Sequence, residues 1–356
     1  SSHNYLIILP TSAPYAKTLT KDNSPYIVSG ALSVISGGEL IIEPGVAIKM
    51  TEGAELEVNG KLTARGTALE AGRIVFTSVH DDSYAGDTNN NGTTTMPAAG
   101  NWRRIKIANT SETSQLEYVT VRYGGPACGW GCPSEEDLAM LEVFSSPADI
   151  KHSVFEYSLT AGAYVLDSSG NIENSVFRSN NQAVQSWGCN CGLGIRGGAV
   201  TVLGNSIEAN RIGLIVNGAH TVSGNSFLNN QNEAITAYFQ GGSPAFNGNT
   251  ASGNAINGIV VGTVFDDYTF EKDLPYTFWS HSTLVSSGKT VTVKPGVIFK
   301  NPSGAAISIN GTLKAGGTAA EPIIFTSQKD DLAGGDTNND GLCEPGNAFS
   351  IAACPS

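Results

Sequence analysis

The chain has 356 residues, of which 15% are charged and 42 are glycine, with a net charge of −12 and a pI near 4.8. So few charges, beside abundant Gly, Asn, Ser and Thr, exclude a helical bundle or a disordered chain and point to a turn-rich β protein. The acidic balance excludes nucleic acid, whose phosphates need basic surface. No run approaches the eighteen apolar residues of a membrane span, so no transmembrane segment is expected.

Taken in order, residues 1–23 hold one apolar strand, Tyr5–Leu9, and a Thr/Lys/Asp-rich connector. No basic n-region precedes that strand, so it is not read as a signal peptide. It is expected either to cap an open β edge or to pair with a neighbouring subunit. From Tyr26 onward short strands alternate apolar and polar residues: ELIIEPGVAIKM (Glu39–Met50), AELEVNGKLTA (Ala54–Ala64) and RIVFTS (Arg73–Ser78). Period two over four to seven residues, broken by PG, EG and NG, predicts strand and turn in succession. No stretch carries a helical period.

The chain then repeats itself. PGVAIKMTEGAELEVNG from Pro44 returns as PGVIFKNPSGAAISING from Pro295, with eight of seventeen positions identical. The match runs on through LTARGT and LKAGGT, IVFTS and IIFTS, and GDTNNNG (Gly86–Gly92) and GDTNNDG (Gly335–Gly341). Internal repetition of this length predicts modules in series. Residues 24–264 are read as one complete module and 265–356 as the truncated start of a second, homologous one, within a longer tandem array.

Between these copies lie LEYVTVRY (Leu116–Tyr123), IKHSVFEY (Ile150–Tyr157), IENSVFRSN (Ile172–Asn180), VLGNSIEAN (Val202–Asn210), VSGNSFLNN (Val222–Asn230) and FNGNTASGN (Phe246–Asn254). Aligning Val121, Phe155, Phe177, Ile207, Phe227 and Ala251 gives spacings of 20 to 34 residues. Coils of 20–30 residues with inserted loops are the signature of a stacked β-solenoid, in which like residues pile on like. Asn205, Asn225 and Asn249 are expected to form an amide ladder at a turn.

At GELIIEPGVAIKM, AELEVNGKLTARGT, RIVFTS and LEYVTVRYGG the chain resembles the right-handed parallel β-helix repeats of the pectate-lyase-like superfamily. The likeness is greatest to non-catalytic modules of large bacterial surface proteins. It covers nearly everything beyond residue 24 and implies an all-β, right-handed parallel β-helix. It does not fix an activity, because that fold hosts enzymes and adhesins alike.

The chemistry-bearing residues fall into three groups. Asp336, Asn338 and Asp340 followed by Gly341 place oxygens at alternate positions of one tight turn, the first half of an EF-hand-type loop, so Ca2+ is the expected cofactor. Asn347 stands where the bidentate Glu of that loop belongs, so Asp330, Asp331 or Glu344 must complete the shell. The first copy offers Asp81, Asp82, Asp87, Asn89 and Asn91, one carboxylate fewer in the turn, and is expected to bind more weakly. The competing reading is an Asp/Asn/Gly turn chosen for conformation alone.

Six cysteines, Cys128, Cys132, Cys189, Cys191, Cys343 and Cys354, suggest an oxidising, extracellular setting. Pairing inside Cys189-Asn-Cys191 is expected to be strained, so cross-links between that turn and Cys128/Cys132 are preferred, with Cys343–Cys354 closing its own loop. Zinc is the alternative, weakened by the CNC spacing. Finally, Arg104, Lys106 and Arg122, with Trp130 and Trp187, are candidate contacts for an acidic glycan. The competing reading of those cations is an ordinary solvated face. No Ser/His/Asp or metal-histidine spacing is present, so no catalytic residue is assigned.

These observations predict a structural or adhesive, calcium-stabilised module of a secreted cell-surface protein, whose partners are copies of itself, adjacent modules or a surface glycan. The alternative is a carbohydrate-binding or polysaccharide-lyase-type β-helix.

Overall fold

The computed structural model describes residues 16–126, 138–181, 189–279 and 281–342. Tyr5–Leu9, Cys128, Trp130, Cys132, Trp187, Cys343, Glu344, Asn347 and Cys354 lie outside them. Within the described residues helix is confined to two 3-10 turns, Lys21–Asn23 and Glu70–Gly72. The remainder is short parallel strands and turns. The chain divides into two compact units, Ser1–Gly194 and Ile195–Ser356.

In the first unit strands as far as Ala139–Phe144 pair, in parallel, with the strand three places further along, so each coil contributes to three ladders; Ala148–Lys151 and Val154–Glu156 pair two places along, because the long strand Ala161–Glu173 serves two ladders. One ladder runs Tyr26–Val28, Ala47–Met50, Ile74–Ser78, Val119–Arg122, Val154–Glu156 and Val176–Arg178. A second begins with Ala16–Leu19 and Glu39–Ile42, the third with Ala31–Val34 and Glu55–Val58. Among the described residues strand pairing is thus already present at Ala16, upstream of the point where alternation becomes legible.

Alternation within each strand sends one set of side chains inward, and the parallel register stacks them in columns. Tyr26, Ile48, Phe76, Val121, Phe155 and Phe177 form one column. Leu19, Ile42, Ala64, Leu116, Ile150 and Ile172 form the second. Val34, Val58, Ile107, Val143 and Val165 form the third. All are buried. Phe155 and Phe177 stack at 5.0 Å, as equal residues one coil apart should. Burying each large apolar side chain contributes roughly 1.5–3 kcal/mol, and these columns are the core.

The corners repeat too. Tyr118, His152 and Asn174 occupy one corner of successive coils in the left-handed region, at φ of 51°, 50° and 49°. Tyr and His are uncommon there, and Tyr118 and His152 recover contact by stacking at 4.8 Å.

In the second unit Ile207, Phe227 and Ala251 are register partners, as the sequence alignment requires. The expected amide ladder is present. Asn205 N and Nδ2 donate to Asn225 Oδ1 at 2.9 Å, and Asn225 N and Nδ2 donate to Asn249 Oδ1 at 3.1 and 3.0 Å. A second ladder, not foreseen, joins Asn210, Asn230 and Asn254 at the next corner. Each amide satisfies a corner's backbone groups, which no sheet ladder reaches.

The disulfide expectation is corrected. Cys189 and Cys191 are bonded to each other across one asparagine. The chain bends there on entering the strand Cys191–Leu203, which brings the two Cα atoms to 5.2 Å, inside the range a disulfide spans. A cross-link from either to Cys128 or Cys132 is therefore excluded.

Candidate metal centre

Both acidic loops grow from the same strand, Ile74–Ser78 in the first unit and Ile324–Ser327 in the second. Their local geometry is nearly identical. Thr77 Oγ1 donates to Asp81 Oδ2 at 2.6 Å, and Thr326 Oγ1 donates to Asp330 Oδ2 at 2.6 Å. Each bond turns the chain out of the strand and clamps the start of the excursion.

The tip of each loop is an Asx-type turn. Asp87 accepts from Asn91 N at 3.2 Å and Gly92 N at 2.8 Å; Asp336 accepts from Asp340 N at 3.3 Å and Gly341 N at 3.0 Å. Asn90 and Asn339 sit at matching left-handed φ of 56° and 54°. The Gly92 amide, joined by those of Asn91 and Asn90 and only partly opposed by desolvation, holds the Asp87 carboxyl below its ordinary range, which favours the charged form. In the second unit the turn is also held to the preceding coil, Asn257 donating from N to Thr337 O at 2.8 Å and from Nδ2 to Asp336 O at 2.9 Å.

The direction in which the loop oxygens point suits a hard divalent cation. Carboxylate oxygens of Asp331, Asp336 and Asp340 lie within 4.8 Å of one another. Oxygens bound to one calcium at 2.3–2.6 Å can lie no further than about 5 Å apart, so these three suit a common ion. In the first loop Asp82 Oδ1, Thr88 Oγ1, Asn89 Oδ1 and Asn91 Oδ1 are buried and accept no hydrogen bond. Buried oxygens without donors are rare unless something else neutralises them. Asn338 Oδ1 repeats the feature in the second loop. The donor set is all oxygen, which suits calcium or magnesium and not zinc.

Asp81 and Asp330 differ from the rest. Both oxygens of Asp81 are engaged, one by Thr77 and the other by Ser83 N and Oγ. They act as clamps at the loop base, whereas in the second loop carboxylates of Asp331, Asp336 and Asp340 converge, and in the first Asp82, Asn89 and Asn91 hold the oxygens without donors.

Sequence reasoning missed Lys49 and Lys300. Each projects outward from its strand, next to the inward Ile48 or Phe299, yet is fully buried. Lys49 Nζ donates to Gly86 O, and Lys300 Nζ donates to Gly335 O. Burial pulls both ammonium groups down, opposed by Asp82, Asp81 and Asp87 in one case and Asp331, Asp330 and Asp336 in the other. The signal was available: both lysines fall in the repeated PGV-x-x-K block.

The glycan candidates are not brought into one open groove. Arg104 is 3% exposed and bonds Glu142 Oε2 from Nη1 at 2.9 Å and Glu55 Oε2 from Nε at 3.3 Å. Lys106 lies over the Phe144 ring at 5.3 Å. Arg122 belongs to a different sheet, pairs with Glu156 Oε1 at 3.3 Å and packs on Tyr123 at 4.5 Å. Strands close in sequence fall on different sides of a coil, which separates them. A shallow polar cleft does occur on the second ladder, lined by Arg65, Gln115, Glu117, Asp149 and Lys151.

Residues 141–314 match the family model of the right handed beta helix region. The chain is a right-handed parallel β-helix. Comparison with curated proteins and with solved structures gives no match. Within this β-helix no helix among the described residues is long and apolar enough to cross a membrane.

Proposed function

We propose that this β-helix is a rigid structural segment of an extracellular surface protein, built in tandem, whose excursions each hold one calcium ion. The observation that carries the proposal is the acidic loop made twice, with the same clamp, the same turn and the same inward oxygens. A groove enzyme needs one such site, whereas a rod that grows by coils gains from each. The ion's part is to neutralise converging carboxylates and fix a projecting loop.

The two copies differ in how far the same column is covered. Phe325 and Ile309 are 49% and 50% exposed, whereas their counterparts in the first copy, Phe76 and Val58, are 1% exposed beneath Val121 and Ile107. A glycan reading has weaker support, since Arg104 and Arg122 are committed to carboxylates.

Negative-stain electron microscopy of the native protein with calcium, then with chelator, tests the proposal. Ordered fibres or sheets that loosen without calcium are expected. Isolated rods indifferent to chelator would refute both the assembly and the role of the ion.

A further inference from the structure

We propose that Lys49 and Lys300 are built-in cations that dock each acidic excursion onto its coil, so that the divalent ion enters a loop already in place. The clause about ion entry rests on the calcium reading; the docking does not.

A lysine facing outward from a strand normally keeps its ammonium in water, and complete burial is rare without a partner. Here both are 0% exposed, in both copies. Their neighbours are not preserved, since Met50 becomes Asn301 and Ile48 becomes Phe299. What is common is the environment: a carbonyl at the start of the Asp-Thr-Asn turn, and three carboxylates around it. A buried ammonium is costly to desolvate, and only the docked loop supplies the groups that offset this.

Charge points the same way. Lys49 offsets part of the charge of Asp81, Asp82 and Asp87, with Arg122 Nε also 3.7 Å from Asp81 Oδ2, and Lys300 part of that of Asp330, Asp331, Asp336 and Asp340, so each loop keeps a net negative charge. Nothing else in the base of the loop needs an ion. Thr77 holds Asp81, Asp87 holds the turn amides, and the lysine joins the two. Each excursion is therefore a centre for two cations, one fixed by a covalent chain and one exchangeable.

Amine acetylation followed by mass spectrometry of the intact chain, in calcium and in chelator, reads the docking directly. Lys49 and Lys300 should label more than about 100-fold more slowly than the exposed Lys272 and Lys314 in both conditions. Labelling as fast as Lys272 once calcium is stripped would overturn the proposal, because the ion would then be the clamp. Hydrogen exchange on Lys49→Met and Lys300→Met gives a second arm. In chelator the wild-type loops should keep protection at the Gly92 and Gly341 amides, and each variant should lose it in its own loop only. Unchanged protection in both variants also overturns it. Protected lysines in a protein that binds no calcium would support the docking while refuting the calcium reading.

Discussion

Replacing Asn225 by Ala should be among the most damaging single changes in the second unit. The side chain is 1% exposed. Its Oδ1 accepts from Asn205 N and Nδ2, both at 2.9 Å, and its Nδ2 donates to Val202 O and Asn249 Oδ1, both at 3.0 Å. Four buried hydrogen bonds are lost together, each contributing about 0.5–1.5 kcal/mol, and a small cavity adds to the loss. The expected cost is about 3–5 kcal/mol. Asn247→Ala is the control: that residue is exposed, and its loss should cost less than about 0.5 kcal/mol. Asn225→Asp keeps the acceptor but sets an oxygen against Val202 O and Asn249 Oδ1, so at neutral pH it should match the Ala variant and recover in acid. Urea unfolding followed by circular dichroism and by local amide exchange reads all three. If Asn225→Ala lies within about 1 kcal/mol of the control, the ladder is an ornament of the corner and not its support.

Three further outcomes are expected. Arg104→Met leaves Glu142, 0% exposed, without its cation and should cost about 3–5 kcal/mol, while the double variant with Glu142→Leu should recover most of it; a chemical-denaturation double-mutant cycle checks this. His220 is buried, accepts from Val200 N at 3.1 Å through Nδ1, and has its pKa lowered by burial. The unfolded chain then takes up the proton first, so stability holds above about pH 6.5 and falls as pH drops below it; melting curves from pH 8 to 5 should show a slope that His220→Gln removes. In calcium titrations the second loop should bind at least about tenfold more tightly than the first, because Asp340 replaces Asn91. Terbium luminescence sensitised by Tyr84, which lies inside the first loop only, separates the two sites.

The fold was legible because solenoid coils write their register into the chain: the column from Val121 to Phe177 and the pair Ile207–Phe227 follow from alignment alone. What alternation cannot say is which ladder a strand joins, or what covers its outward face. Arg104 and Arg122 are eighteen residues apart, yet they stand on different sheets, because intervening strands turn corners. Lys49 reads as a solvated position until the loop 37 residues later is folded over it. The ladder of Asn210, Asn230 and Asn254 was visible as a recurring Asn after each strand, but its role needed the corner geometry. The Cys189–Cys191 bond was misjudged because spacing shows separation along the chain, while Cα distance depends on the bend.

The two copies also supply an internal control on what a covering coil contributes. Phe76 and Phe325 occupy the same position of the same strand motif, each beside the equivalent residue of the preceding coil, Ile48 or Phe299. Phe325 stacks on Phe299 at 4.7 Å but is 49% exposed, whereas Phe76 is covered by Val121 and is 1% exposed. Phe76→Ala should therefore cost about 3–5 kcal/mol, the full penalty of a buried aromatic. Phe325→Ala should cost about 1–2 kcal/mol, since half its surface is already wet. The difference, read by urea denaturation with exchange at the two strands, measures one coil-on-coil contact, the nearest-neighbour term that sets how a solenoid grows. Equal costs would mean that cover by Val121 adds nothing at this position, and the coil-on-coil term would be negligible.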